Sequence, residues 1–97
     1  MFARVTRHEG GDTERLRAMN EERMASGGSG LGLPGGCRRA MVLVGDGHRL
    51  FVTFFDDEAA IAAAEPQFEA MGEEYPEDVR GRRASVDVYE VALDQQV

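Results

Sequence analysis

Two apolar runs, Ala40 to Val44 and Leu50 to Phe55, flank the segment Gly45-Asp46-Gly47-His48. Asp-Gly between strand-like runs predicts a hairpin with a two-residue type I′ turn, because Asp tolerates positive φ and Gly carries no Cβ. Such a turn fixes the register: Val44 opposite Arg49, Leu43 opposite Leu50, Val42 opposite Phe51, Met41 opposite Val52. One face then carries Arg39, Met41, Leu43, Leu50, Val52 and Phe54; the other carries Ala40, Val42, Val44, Arg49, Phe51, Thr53 and Phe55. Both faces are largely apolar, whereas a sheet with one wet face alternates apolar and polar. Each face therefore needs a cover.

The same pattern predicts the other elements. Phe2 to His8 alternates as a strand, with Ala3, Val5 and Arg7 on one face and Phe2, Arg4, Thr6 and His8 on the other. Gly10-Gly11 ends it. Asp12 or Thr13 caps a helix to about Ala25, in which Leu16 and Met19 form a narrow apolar stripe beside Asn20 and Arg23. A Gly-rich connector, 26–36, follows. Its Gly30-Leu31-Gly32-Leu33-Pro34-Gly35 has the letters of a dinucleotide fingerprint, but that fingerprint needs a strand before it and a helix after it. A flexible loop, long enough to serve as a lid, is the simpler reading. Asp56 or Asp57 caps a second helix with a core stripe of Ile61, Ala64, Phe68 and Met71, which Pro66 should kink or split. Gly72 to Arg83 reads as a polar loop, and Ala84 to Leu93 as the last strand.

The order is βαββαβ. Right-handed crossovers place both helices on one face of a four-stranded antiparallel sheet ordered 4-1-3-2, a ferredoxin-like α+β domain spanning residues 1–97. The more uniformly apolar face, with Ala3, Val5, Met41, Leu43, Leu50, Val52, Phe54, Val86 and Val88, is assigned to the helices. The other face carries Arg4, Thr6, His8, Phe51, Thr53, Asp87 and Tyr89, and its simplest cover is a second copy of the chain.

Composition narrows the function classes. All 11 basic residues are Arg, which removes lysine Schiff-base chemistry. A net charge of -7 argues against nucleic acid and anionic membranes as partners. The single cysteine permits no internal disulfide. With no apolar stretch of spanning length and no leader-like start, the expectation is a cytoplasmic protein.

Candidate chemistry gathers on the second face. His8 beside Asp87 and Tyr89 could move protons at neutral pH; alternatively Asp87 pairs with Arg4 and Tyr89 supplies interface area. Arg4, Asn20, Arg23, Phe51 and Thr53 are the candidate ligand contacts. Arg80-Gly81-Arg82-Arg83 could hold an acidic ligand, or form a solvated charge run beside Glu73, Glu74, Glu77 and Asp78. Cys37 and His48 read as a packed thiol and a turn residue. No metal-ligand spacing is present, and neither a metal nor another cofactor is expected.

Several features together resemble the dimeric α/β-barrel proteins related to antibiotic biosynthesis monooxygenases. They are the strand from Met1, the Pro34-Gly35-Gly36 before strand two, Phe54-Phe55-Asp56-Asp57-Glu58-Ala59, and Ser85-Val86-Asp87-Val88-Tyr89-Glu90-Val91. The resemblance implies a homodimer with a cavity between sheet and helices. Some members are cofactor-independent monooxygenases of aromatic polyketides, and others degrade haem. The chain has no Trp, on which the well-described oxygenases lean, and Asn20 is its only Asn. Two expectations follow: an enzyme acting on an apolar or aromatic metabolite without a metal, or a non-catalytic ligand-binding or structural dimer. An enclosed cavity between the first helix and the sheet, with ionisable groups pointing into it, favours the first.

Overall fold

The computed structural model describes residues 1–25 and 33–97; most of the Gly-rich connector, including Gly30 to Gly32 of the fingerprint-like run and any lid it would form, lies outside them. The elements are β1 (Phe2–Glu9), α1 (Thr13–Ala25), β2 (Arg39–Gly45), β3 (His48–Phe55), α2 (Glu58–Glu73), α3 (Glu77–Arg80) and β4 (Arg82–Glu90). The sheet is antiparallel with the order β2-β3-β1-β4, so the fold is ferredoxin-like α+β as the pattern predicts.

The β2–β3 register is the expected one, from Met41 opposite Val52 to Val44 opposite Arg49. The turn differs. Gly47 has φ of 73°, but no described non-Gly residue, Asp46 included, has positive φ, so Asp46 does not adopt the conformation that type I′ requires. In this turn only Gly47 needs the freedom of a residue without Cβ.

Both helices start at side-chain caps. Asp12 Oδ1 accepts from Arg15 N at 3.0 Å, and Asp57 Oδ1 accepts from Ala60 N at 2.8 Å, each satisfying an orphan donor of the first turn. α2 runs through Pro66 without a break in the element. The polar loop expected over Gly72 to Arg83 instead contains α3. Pro76 is its N-cap, and Val79 is fully buried, one apolar anchor in an otherwise charged segment.

The main correction concerns the faces of the sheet. Phe55, Ile61, Ala64 and Phe68 form the core cluster, with Phe2, Phe51 and Met71 packed against it. The helices therefore cover the Phe2-Arg4-Thr6-Phe51-Thr53-Phe55 face, not the Met41-Leu43-Val52 face. Counting apolar residues failed because the covered face carries buried polar groups, Arg4, Thr6, Arg49 and Thr53. Apart from Thr6 on β1, the partners of the two arginines sit on helices and loops, which strand alternation does not reveal.

The alternation of β4 is also reversed relative to β1. Asp87 pairs with Val5 and Tyr89 with Ala3, while Val86 and Val88 pair with Thr6 and Arg4. The register shifts at a bulge between Arg7 and His8, beyond which His8 pairs with Arg83. No short turn joins β1 to β4, so nothing local sets their register.

Candidate functional site

A cavity of about 720 Å3 lies between the helix-covered face of the sheet and the helices. β1 supplies Arg4, Thr6 and His8 to its wall, and β3 supplies Arg49 and Phe51. α1 contributes Leu16 and Asn20; α2 contributes Phe68, Glu69, Met71 and Glu73. Tyr75, Glu77, Arg80, Arg82 and Arg83 close the end formed by α3 and the start of β4. Phe51, Phe68, Leu16 and Met71 make one part of the lining apolar, while the β1–β3–α3 end is dense in cationic groups.

The cavity exists because α1 does not collapse onto the sheet. α1 buries no residue, whereas α2 buries Ile61, Ala64 and Phe68. Polar hooks hold α1 in place. The Tyr75 hydroxyl donates to Asn20 Oδ1 at 2.7 Å, Arg23 reaches Glu74 at 2.6 Å, and Arg15 reaches Asp78 at 3.3 Å. The Arg23 guanidinium also lies 4.7 Å from the centre of the Tyr75 ring. Burial pushes the Tyr75 phenol above its ordinary pKa, so it is a neutral donor.

Arg4 is 3% exposed. Its Nε and Nη2 donate to the two oxygens of Glu65 at 2.7 and 3.2 Å, and Nη1 donates to Thr6 Oγ1 at 2.8 Å. The guanidinium sits 4.1 Å from the centre of the Phe68 ring. A buried cation needs such a set, because an unpaired one costs several kcal/mol, on the order of the desolvation of one ion.

Arg49 is equally buried, at 3% exposure, and is held differently. Nη1 donates to Gly10 O at 2.8 Å and Thr13 Oγ1 at 2.9 Å, and Nη2 donates to Arg80 O. All three acceptors are neutral. The guanidinium thereby ties the end of β1, the start of α1 and the end of α3 together. The backbones meet closely there: a Cβ on Gly11 would lie 2.5 Å from Val79 O, and one on Gly81 would lie 2.5 Å from Glu9 O. Both glycines also have positive φ, so both are required twice over.

His8 stands between Arg49 on β3 and Arg83 on β4. Burial lowers its pKa from the ordinary 6.5, and Arg49, Arg83, Arg80 and Arg4 lower it further. The imidazole is therefore neutral at pH 7. It makes no hydrogen bond with another described residue, which leaves one ring nitrogen free to accept a proton from a bound molecule.

The expected constellation is divided. Of His8, Asp87 and Tyr89, only His8 is in the cavity wall; Asp87 and Tyr89 are exposed on the opposite face of the sheet. Among the expected ligand contacts, Arg4, Asn20 and Phe51 line the cavity. Arg23 braces α1 from outside the lining. Thr53 is fully buried and does not line this cavity, and its hydroxyl oxygen has no hydrogen-bond partner among the described residues. Arg49 is a cavity residue that strand alternation alone does not single out. The available signal is an arginine in the interior of an otherwise apolar strand, two residues from Phe51. Arg80, Arg82 and Arg83, the candidate acidic-ligand cluster, do line the cavity.

Among the described residues no group of three or more His, Cys, Asp or Glu side chains is placed to hold a metal, and no helix is long and apolar enough to cross a membrane. Compared with known proteins, the chain matches no family model and no curated protein sequence.

Proposed function

We propose that this chain is a small homodimeric protein, similar to the antibiotic biosynthesis monooxygenases, that takes an apolar, aromatic metabolite into the cavity between sheet and helices. The observation that carries the reading is the cavity itself, with a neutral, unbonded His8 on a wall that also carries guanidinium groups and aromatic rings. The rings of Phe51 and Phe68 face a flat apolar body. His8 accepts a proton from an acidic C–H or O–H of the ligand, and the neighbouring arginines stabilise the anion left behind. An electron-rich aromatic anion of this kind is oxidised by dioxygen without a metal. The balanced monooxygenation of an activated methylene consumes one dioxygen per substrate. The methylene carbon loses both hydrogens and gains one oxygen atom as a ketone carbonyl, and the second oxygen atom leaves with those two hydrogens as water.

Assembly is the second part of the proposal. Met41, Leu43, Leu50, Val52, Phe54, Val5 and Ala3 form the face on which no described helix packs; Leu43 at its β2 edge is 46% exposed, while Ala3 and Val52 at its centre are buried. Arg39 on β2 and Asp87 on β4 mark opposite edges of this face, so a two-fold axis running along the strands brings unlike charges together. Light scattering after size exclusion should report a dimer at micromolar concentration, and Leu43→Glu should convert it to monomer. A monomeric parent protein sinks this part.

The separation of His8 from Asp87 and Tyr89 favours a second reading, a ligand-binding dimer of the same fold with no catalysis, because His8 then lacks a carboxylate to orient it. Oxygen uptake with polycyclic methylene substrates separates the two. His8-dependent uptake supports the oxygenase, and binding without uptake supports the binding protein.

A further inference from the structure

The charges around the cavity do not cancel locally. Arg4 is matched by Glu65, Arg82 by Glu9 at 2.6 Å, and Arg83 by Glu69 at 2.8 Å. Among the described residues, Arg49 and Arg80 are not matched. Arg49 has only Gly10 O, Thr13 Oγ1 and Arg80 O; Arg80 has only Gly72 O, at 2.7 Å. The two further carboxylates of the lining, Glu73 and Glu77, are exposed and form no ion pair with a described residue. A guanidinium 3% exposed, with no ion-pair partner among the described residues, is costly because it has left water without gaining a counter-charge. Its three bonds use three of five N–H donors, and the cavity borders the group.

We infer that the Arg49–Arg80 end of the cavity is a seat for an anionic group of the ligand, so that the molecule taken up is an aromatic acid rather than a neutral hydrocarbon or ketone. This rests on the reading of the cavity as a ligand site and specifies its substrate class. A carboxylate at this end supplies the missing charge, and charge-assisted bonds from guanidinium donors are the strong ones. The aromatic body then extends toward Phe51 and Phe68. His8, which faces Arg49, Arg83, Arg80 and Arg4, gains a nearby counter-charge from the ligand. Its proton affinity should rise on binding, which couples recognition of the acid to readiness for proton transfer.

The test compares 2-naphthoate with 2-naphthamide, two probes of the same shape and different charge, by calorimetry on the full chain. The naphthoate should bind about ten-fold or more tightly than the amide. Arg80→Gln should reduce that preference to less than about three-fold, since one of the two unmatched cations is gone. Arg49→Met is the more direct variant but also removes a structural tie, so a second measurement is needed. In an NMR titration, with His48→Asn used to assign the two histidines, saturating naphthoate should move the His8 pKa upward and the amide should not. Equal binding of acid and amide overturns the anion seat and leaves the apolar cavity standing. An undiminished preference in Arg80→Gln overturns its location. Failure of both probes to bind overturns the cavity reading from which this inference starts.

Discussion

The two long helices lie over the same sheet and do opposite jobs. α2 puts Ile61, Ala64 and Phe68 into the core, where the Phe68 ring meets Phe51 and Phe55 edge to face at 6.4 and 6.0 Å. α1 buries nothing and is held by Asn20, Arg23 and Arg15 at its surface and by the Arg49 tie at its start. One helix is fixed by area removed from water and the other by directional polar contacts. The space between sheet and helices is kept open by not packing α1. A fold with two α2-like helices would be more stable and would have no site.

The contrast is most exposed to test at Phe68. Phe68→Ala should cost about 3–5 kcal/mol in chemical denaturation, by lost transfer energy and a residual cavity. Leu16→Ala, the nearest equivalent in α1, should cost under about 1 kcal/mol, because the site is already open on one side. Equal losses at the two positions would show that α1 is a core helix and that the two helices do not differ as described.

Next in size is Arg49→Met. It leaves Gly10 O and Arg80 O without their buried donor, and a loss of about 2–3 kcal/mol is expected. Hydrogen exchange should show this loss as faster opening of the first turn of α1 and of α3, with α2 unaffected. Uniform acceleration across both helices would mean that Arg49 supports the whole core rather than the α1 side.

Asn20→Ala removes the hook to Tyr75 and should cost about 1 kcal/mol. The Tyr75 phenol then loses its acceptor and its burial is less well compensated. Thr53→Val offers the opposite sign. The buried hydroxyl has no partner among the described residues, so its removal should stabilise the protein by roughly 1 kcal/mol or less, measured as a higher midpoint in urea.

The smallest effect is a slope. The folded-state pKa of His8 lies below 6.5, so the unfolded chain binds more protons as pH falls through 6.5. The contribution of His8 is complete above pH 6.5 and is lost as pH falls toward its folded value. His8→Gln should flatten the decline in stability below pH 6.5. An unchanged slope would show that the imidazole is not set among the arginines as described.

The local part of the architecture was legible. Asp46-Gly47 between apolar runs set the β2–β3 register, and Ile61, Ala64 and Phe68 marked the buried stripe of α2, because both signals act over a few residues. Of the kink or split expected at Pro66, the split does not occur: the helix continues through it. Arg4, Asn20, Phe51 and His8 do line the cavity, and for Arg4 and His8 the signal was polarity within an otherwise apolar pattern. Asp87 and Tyr89 were misplaced because the β1–β4 register, which no short turn sets, puts them opposite Val5 and Ala3 rather than on the face of Arg4 and His8.

The element order, the sheet topology and the hairpin register follow from the sequence alone, through turn chemistry, caps and periodicity. Tertiary structure decided which face lies inside, where Asp87 and Tyr89 point, and that Arg49 reaches Gly10, Thr13 and Arg80. Strand alternation defines two faces but carries no label for inside and outside. The label came from groups far apart in the chain, Glu65 and Phe68 on Arg4 and the meeting of Gly11 with Val79. Only the folded backbone brings them within bonding distance.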